Sequence, residues 1–77
     1  MTDYNPKEFE QMVSMRSQGE LTDFHLANYM KDLTEKGYEL ADQMLRIGLE
    51  KDQYVRARTL ASYYRRSRRA IVLAAHQ

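Results

Sequence analysis

A chain of 77 residues has room for one domain with one small hydrophobic core, so we predict a single helical domain over residues 1–77. It has no cysteine, and its two histidines, His25 and His76, form no ligand pattern, so disulfides are excluded and neither a metal nor a cofactor is expected. No apolar run approaches the roughly 18 residues of a membrane span, and the first residues lack a signal-peptide pattern, which predicts a cytoplasmic protein.

The net charge of +1 conceals a strong asymmetry along the chain. Residues 1–53 hold all eleven acidic residues and six basic ones, a net charge of −5, whereas residues 54–77 hold six arginines and no acid, a net charge of +6. Such an asymmetry is typical of proteins that bind anionic partners. It is equally expected where the acidic part of the same fold, or of a second subunit, neutralises the basic segment.

The first predicted helix covers residues 6–18. Asn5 before it is a favourable N-cap. Pro6 suits the first helical position, because an N–H at that position has no partner within the helix and proline lacks one. Gly19 is expected to end the helix, since glycine adopts a left-handed conformation at little cost.

The middle of the chain predicts one or two further helices. Thr22 precedes an apolar pattern that predicts a helix over residues 23–36, with Gly37 in the C′ position after it. A third helix over residues 38–50 has a poor N-terminal cap, so Gly37 could instead lie inside one continuous helix at a cost of about 1 kcal/mol relative to alanine. A helix running unbroken over residues 38–75 is a further alternative. No stretch alternates as a strand does, and the fold class is therefore an all-α bundle of three or four helices.

The last predicted helix, over residues 53–75 and capped by Asp52, is long, basic and amphipathic. Its apolar face comprises Leu60, Ala61, Tyr64, Ile71 and Ala75. Roughly opposite lie the cations Arg58, Arg65, Arg66 and Arg69, whereas Arg56 and Tyr63 occupy a third side.

Arg68 is out of place, because it falls on the apolar face of this helix. A buried arginine is costly without a carboxylate partner. Either Arg68 pairs with an acid from the preceding helices, or the end of the helix extends past the core. In the second case Ile71, Val72 and Leu73 form an exposed apolar tip, which usually marks an interface and favours a homodimer or another protein partner.

The sequence shows no pattern for catalysis. It has no Ser-His-Asp or Cys-His set, no zinc-protease motif and no glycine-rich phosphate loop. His25 lies in the first turn of the second predicted helix, where a surface or capping role is expected. We therefore expect no enzymatic activity.

The arginine-rich segment is the strongest candidate for function. The predicted partner-contacting residues are Arg56, Arg58, Tyr63, Arg65, Arg66, Arg68, Arg69, Ile71 and Leu73. The leading hypothesis is a non-enzymatic interaction module that docks on an acidic protein surface as an adaptor, inhibitor or regulatory protein, a type common among small bacterial and phage proteins.

Three other interpretations use the same helix. In the first, the arginines contact nucleic-acid phosphates, although the pI of 8.0 is low for a dedicated nucleic-acid domain. In the second, they only neutralise the acidic helices, within the chain or across a dimer. In the third, the helix lies on a membrane surface, which is least expected because its apolar face has few large aliphatic side chains.

Overall fold

The computed structural model describes the backbone of residues 3–75 and the side chains of residues 3–68. This part of the chain contains no β-strand and four helices, α1 (Pro6–Ser17), α2 (Asp23–Met30), α3 (Glu35–Gly48) and α4 (Lys51–Ala75). The predicted all-α bundle with a long basic C-terminal helix is confirmed. None of the described helices is both long enough and apolar enough to cross a membrane.

The first helix begins and ends where its caps predict. The side chain of Asn5 accepts a hydrogen bond from the backbone N–H of Glu8 at 3.2 Å, and Pro6 lies in the first turn. Gly19 has a φ of +82°, and its N–H donates to the carbonyl of Arg16 at 3.0 Å. The left-handed glycine thus satisfies a carbonyl that the helix end would otherwise leave free.

The break between the second and third helices lies earlier in the chain than predicted. Thr34 has extended backbone, and its hydroxyl accepts a hydrogen bond from the N–H of Gly37 at 3.1 Å, so it caps α3. Gly37 therefore lies in the first turn of α3, and both its predicted C′ role and the poor cap expected for the third helix are wrong. Leu33 is buried in the turn after Met30, at a spacing that also fits a helix, which is why the apolar pattern extends past the end of α2.

The last helix begins two residues before its predicted start. The side-chain oxygen of Gln53 accepts a hydrogen bond from the N–H of Glu50 at 3.2 Å, which is one half of a capping box. Asp52 lies inside the first turn, so its predicted role as the cap is wrong. Leu49 has φ −116° and ψ 154°, and this extended residue separates α3 from α4.

Contacts between helices define their directions. Glu35 at the start of α3 pairs with Arg65, whereas Asp42 further along α3 pairs with Arg58, so α3 and α4 form an antiparallel helical hairpin. Among the described residues, α2 packs mainly against α4, and α1 packs mainly against α3. The long α4 therefore has α3 along one side and α2 along another.

The core is small, and among the residues whose side chains are described α4 supplies only alanines to its fully buried part. The buried apolar residues are Phe9, Val13, Leu26, Ala27, Met30, Leu33, Ala41, Leu45, Leu49, Ala57 and Ala61. The larger apolar side chains of α4, among them Leu60 and Tyr64, are only partly buried against this core. The predicted apolar face of the last helix is thus confirmed as far as Tyr64, and the side chains of Ile71 and Ala75 lie outside the described residues.

Candidate functional site

Most of the described arginines of α4 are paired with acidic residues of the same chain. The pairs are Arg56 with Asp23 (3.6 Å) and Asp52 (3.7 Å), Arg58 with Asp42 (3.2 Å), Arg65 with Glu35 (2.7 Å) and Arg68 with Asp32 (3.1 Å). The carboxylates come from α2, α3, the turn between them and α4 itself. Neutralisation of the basic helix within the chain, one of the alternatives weighed from the sequence, is therefore present in the fold.

Arg68 contacts a carboxylate, although its side chain is 45% exposed and is not buried against the core. Its Nε lies 3.1 Å from Oδ1 of Asp32, in the turn that follows α2. The first of the two sequence alternatives thus holds. The backbone of Arg69, Ile71 and Leu73 belongs to α4, but their side chains lie outside the described residues, so the exposed apolar tip stays a prediction.

Three of the predicted site residues meet in one groove. Arg58, Arg65 and Arg66 line an open cleft of about 660 Å³ between α3 and α4, which we call the α3–α4 cleft. Tyr38 and Ser62 are also part of its lining. The antiparallel hairpin therefore places three arginines, two exposed glutamates (Glu35 and Glu39) and several hydroxyl groups along a single concave surface.

Arg65 is held in place from several directions. Its Nη2 donates to Oε1 of Glu35 at 2.7 Å, and its guanidinium carbon lies 4.3 Å from the centroid of the Tyr38 ring, a cation–π contact. The hydroxyl of Tyr38 is 3.1 Å from Oγ of Ser62, which fixes the ring against α4. The side chain of Arg65 is only 16% exposed, and its Nη1 is buried with no hydrogen-bond partner among the described residues. Arg65 thus supports the cleft wall more than it faces solvent.

Asp42 is a second point at which α3 and α4 are joined. The hydroxyl of Tyr54 donates to its carboxylate at 2.8 Å, and Nε of Arg58 lies 3.2 Å away. Arg46 lies one turn further along α3, and its Nη2 is 3.4 Å from Oδ2 of Asp42. A side-chain hydrogen bond and charge interaction with Tyr54, followed by the charge of Asp42, raise the pKa of Arg46 above its ordinary value. Arg58 therefore already forms an ion pair with a carboxylate of its own chain.

Arg66 differs from the other arginines of α4 whose side chains are described. It is exposed, and it forms no ion pair with any residue whose side chain is described. Val55 and Thr59, both exposed, precede it by eleven and seven residues on the same outward side of α4. The sequence interpretation missed these two residues, although their helical spacing from Arg66 could have identified them.

Arg56 and Tyr63 do not join the cleft. They line a separate shallow surface on the side of α4 that faces α2, together with Leu60. Phe24 of α2 lies nearby and was not predicted, yet it is 54% exposed and its ring meets that of Tyr64 edge-on, at 5.8 Å and 83°. Phe24 lies off the apolar stripe of its helix, and this position in the sequence could have indicated that its ring is exposed.

The described parts of these surfaces present guanidinium groups, hydroxyl groups and aromatic rings. The described residues contain no group of three or more histidine, cysteine, aspartate or glutamate side chains that could hold a metal ion. His25 contacts the cap residue Thr22 through Nδ1 and Oγ1 at 2.7 Å, as its expected capping role implies. No protein-family model, curated protein or solved structure matches the chain.

Proposed function

We propose that the chain is a cytoplasmic, non-enzymatic interaction module that docks on an acidic surface of a partner protein through the α3–α4 cleft and the outward side of α4. Arg66 supplies the charge that the partner's carboxylate meets first. Arg58 and Arg65 line the cleft beside it; Arg58 is 53% exposed and has further N–H donors beyond the one that meets Asp42, whereas Arg65 supports the cleft wall. The module acts by occupying its partner's surface, as an adaptor, inhibitor or regulatory protein does.

The observation that carries this proposal is the exposed, unpaired state of Arg66 among the described residues, next to a preformed cleft. A guanidinium presents planar, bidentate donors that fit a carboxylate. The cleft walls are two packed helices, and contacts such as that of Arg65 with Tyr38 hold their side chains in place. Little conformational entropy is then lost when a partner binds.

A nucleic acid is the weaker candidate for the same surface. A phosphate backbone presents a continuous row of charges, and its affinity depends on how many cations are available to displace counterions. Four of the described arginines of α4 already face carboxylates at 2.7–3.7 Å, which would compete with each incoming phosphate. A protein partner needs only one or two well-placed carboxylates among other polar and apolar contacts.

A homodimer is part of this proposal. A domain with a core this small gains stability when a second copy covers its remaining apolar surface.

The test uses two fluorescent probes of equal negative charge, a glutamate-rich peptide and a single-stranded oligonucleotide. Binding of each to the full chain is followed by fluorescence anisotropy at low and moderate salt. We expect the peptide to bind, and Arg66→Glu to weaken it at least tenfold, about 1.4 kcal/mol. Arg65→Glu is a poorer variant, because it also breaks the contacts with Glu35 and Tyr38.

Lys7→Glu is the matched control. Lys7 is exposed on α1, which does not line the cleft, and the substitution changes the net charge by the same amount. An equal loss of peptide binding in both variants would mean that the peptide responds to net charge alone, and it would overturn the proposal. Tighter binding of the oligonucleotide, with a steep salt dependence, would favour the nucleic-acid function instead.

A further inference from the structure

Two charged side chains of opposite sign line the α3–α4 cleft without an ion pair to any residue whose side chain is described. Arg66 lies on the α4 wall and Glu39 on the α3 wall, and both are exposed. Arg58 and Arg65, which also line the cleft, already contact carboxylates of α3. The described walls therefore offer a partner a free anion as well as a free cation.

The contacts between α3 and α4 give the positions of these two charges along the cleft. The residues that meet are Glu35 with Arg65, Tyr38 with Ser62 and Asp42 with Arg58. Each step forward along α3 is thus a step backward along α4, which places Glu39 level with Ala61. At a rise of about 1.5 Å per residue, Arg66 lies roughly 7–8 Å from this level in one direction, and Arg58 lies roughly 4–5 Å from it in the other. Glu39 is therefore placed between the levels of two arginines of the opposite wall.

An uninterrupted acidic segment fits this arrangement poorly. The described side chains of α4 between Arg58 and Arg65 carry no charge, so nothing on that wall offsets Glu39 at its own level. A partner carboxylate placed there would meet a like charge, which lowers affinity. A basic side chain at the same point would instead pair with Glu39, whereas acids are favoured on either side of it.

An extended segment matches the spacing of the charges. Its residues are about 3.3 Å apart and alternate between two faces, so side chains two positions apart lie about 7 Å apart on one face. That is close to the distance along the cleft from Glu39 to Arg66. An acid two positions away on the other side of the base comes within reach of Arg58, whose side chain is 53% exposed.

We propose that the α3–α4 cleft binds an extended segment of a partner protein in which one basic residue has an acidic residue two positions before it and another two positions after it. The base contacts Glu39, and the two acids contact Arg66 and Arg58. This inference rests on the proposed function and makes it specific, because the partner's acidic surface is then recognised by its pattern of charges as well as by their sum. Glu39 supplies the repulsive element that rejects a uniformly acidic segment.

The test compares two fluorescent nine-residue peptides in which glutamate alternates with serine, one with glutamate and the other with lysine at its centre. Binding to the full chain is followed by fluorescence anisotropy at moderate salt. We expect the lysine peptide to bind more tightly, although it carries less negative charge. In Glu39→Lys the preference should reverse, and the ratio of the two dissociation constants should change by roughly tenfold, because the contact with the central residue changes sign.

Glu10→Lys is the matched control, because Glu10 is exposed on α1, does not line the cleft, and its substitution changes the net charge by the same amount. Its long-range effect on the ratio should be much smaller, since salt screens distant charges. Equal changes in the two variants would overturn the inference, and so would tighter binding of the glutamate peptide by the unchanged chain. The helical circular dichroism of each variant shows that it is folded.

Arg66→Glu separates this inference from the proposed function. If the unchanged chain binds the glutamate peptide at least as tightly as the lysine peptide and Arg66→Glu weakens both, the charge pattern is wrong and the proposed function stands. If neither peptide binds, or if Arg66→Glu weakens neither, the proposed function fails and this inference fails with it.

Discussion

Gly48, the last residue of α3, lies so close to Val13 of α1 that no β-carbon fits between them: one built on Gly48 would overlap Cγ1 of Val13. The two helices pack closely at this point, where Val13 is buried with 3% of its surface exposed. It also reverses the usual effect of alanine, which stabilises a helix by about 1 kcal/mol relative to glycine.

We predict that Gly48→Ala destabilises the protein by about 1–3 kcal/mol, because α1 and α3 must move apart. Urea denaturation followed by circular dichroism measures the loss. Val13→Ala removes the overlapping methyl group, so the double variant should lose less than the sum of the two single variants. Strictly additive losses would contradict the steric explanation.

The cap of α3 provides a second prediction. Thr34→Ala removes the hydrogen bond to the N–H of Gly37 and should cost about 1 kcal/mol. Thr22→Ala is the control at the start of α2, because Thr22 makes no side-chain capping hydrogen bond to the backbone. Its loss should be only a few tenths of a kcal/mol in the same denaturation experiment. Equal losses at the two positions would show that the cap of Thr34 contributes no more stability than Thr22 does.

A third prediction concerns Asp23, which faces two arginines of unequal burial. Arg16 is 13% exposed and lies 2.6 Å from Asp23, whereas Arg56 is 58% exposed and lies 3.6 Å away. Arg16→Ala should therefore cost about 1.5–3 kcal/mol, as for a charged hydrogen bond that is partly buried. Arg56→Ala should cost less than about 1 kcal/mol, because solvent screens the exposed pair.

Double-variant cycles with Asp23→Ala measure both couplings. A coupling of Asp23 with Arg56 that equals or exceeds its coupling with Arg16 would contradict this ranking.

The pair of Arg68 and Asp32 provides the fourth prediction. Both side chains are more than a third exposed, so the charge reversals Arg68→Asp and Asp32→Arg should each cost less than about 1 kcal/mol. Combining them restores opposite charges across the contact, and the double variant should recover most of the lost stability. Thermal denaturation at low and high salt is the measurement, with a smaller effect expected at high salt. A double variant less stable than either single one would rule out a direct pair.

Local signals in the sequence were sufficient for the first helix and for the fold class. Asn5 and Gly19 each contact a backbone group three residues away, so the bounds of α1 could be predicted without knowledge of the rest of the fold. The end of α2 could not be predicted in this way, because Leu33 continues the apolar spacing of the helix although it packs into the core from a turn. Helical spacing alone does not distinguish a last helical turn from a buried turn residue.

The candidate site shows the same division. The sequence by itself determined that residues 54–77 carry six arginines and no acid, and that Arg68 needs a carboxylate partner if it lies against the core. Only the tertiary structure decided which arginines are neutralised, because Glu35 and Arg65 are thirty residues apart and meet through the antiparallel packing of α3 on α4. The packing of α2, α3 and the turn between them on α4 pairs four described arginines and leaves Arg66 facing outward, since a helix of 3.6 residues per turn cannot direct all its side chains towards its neighbours.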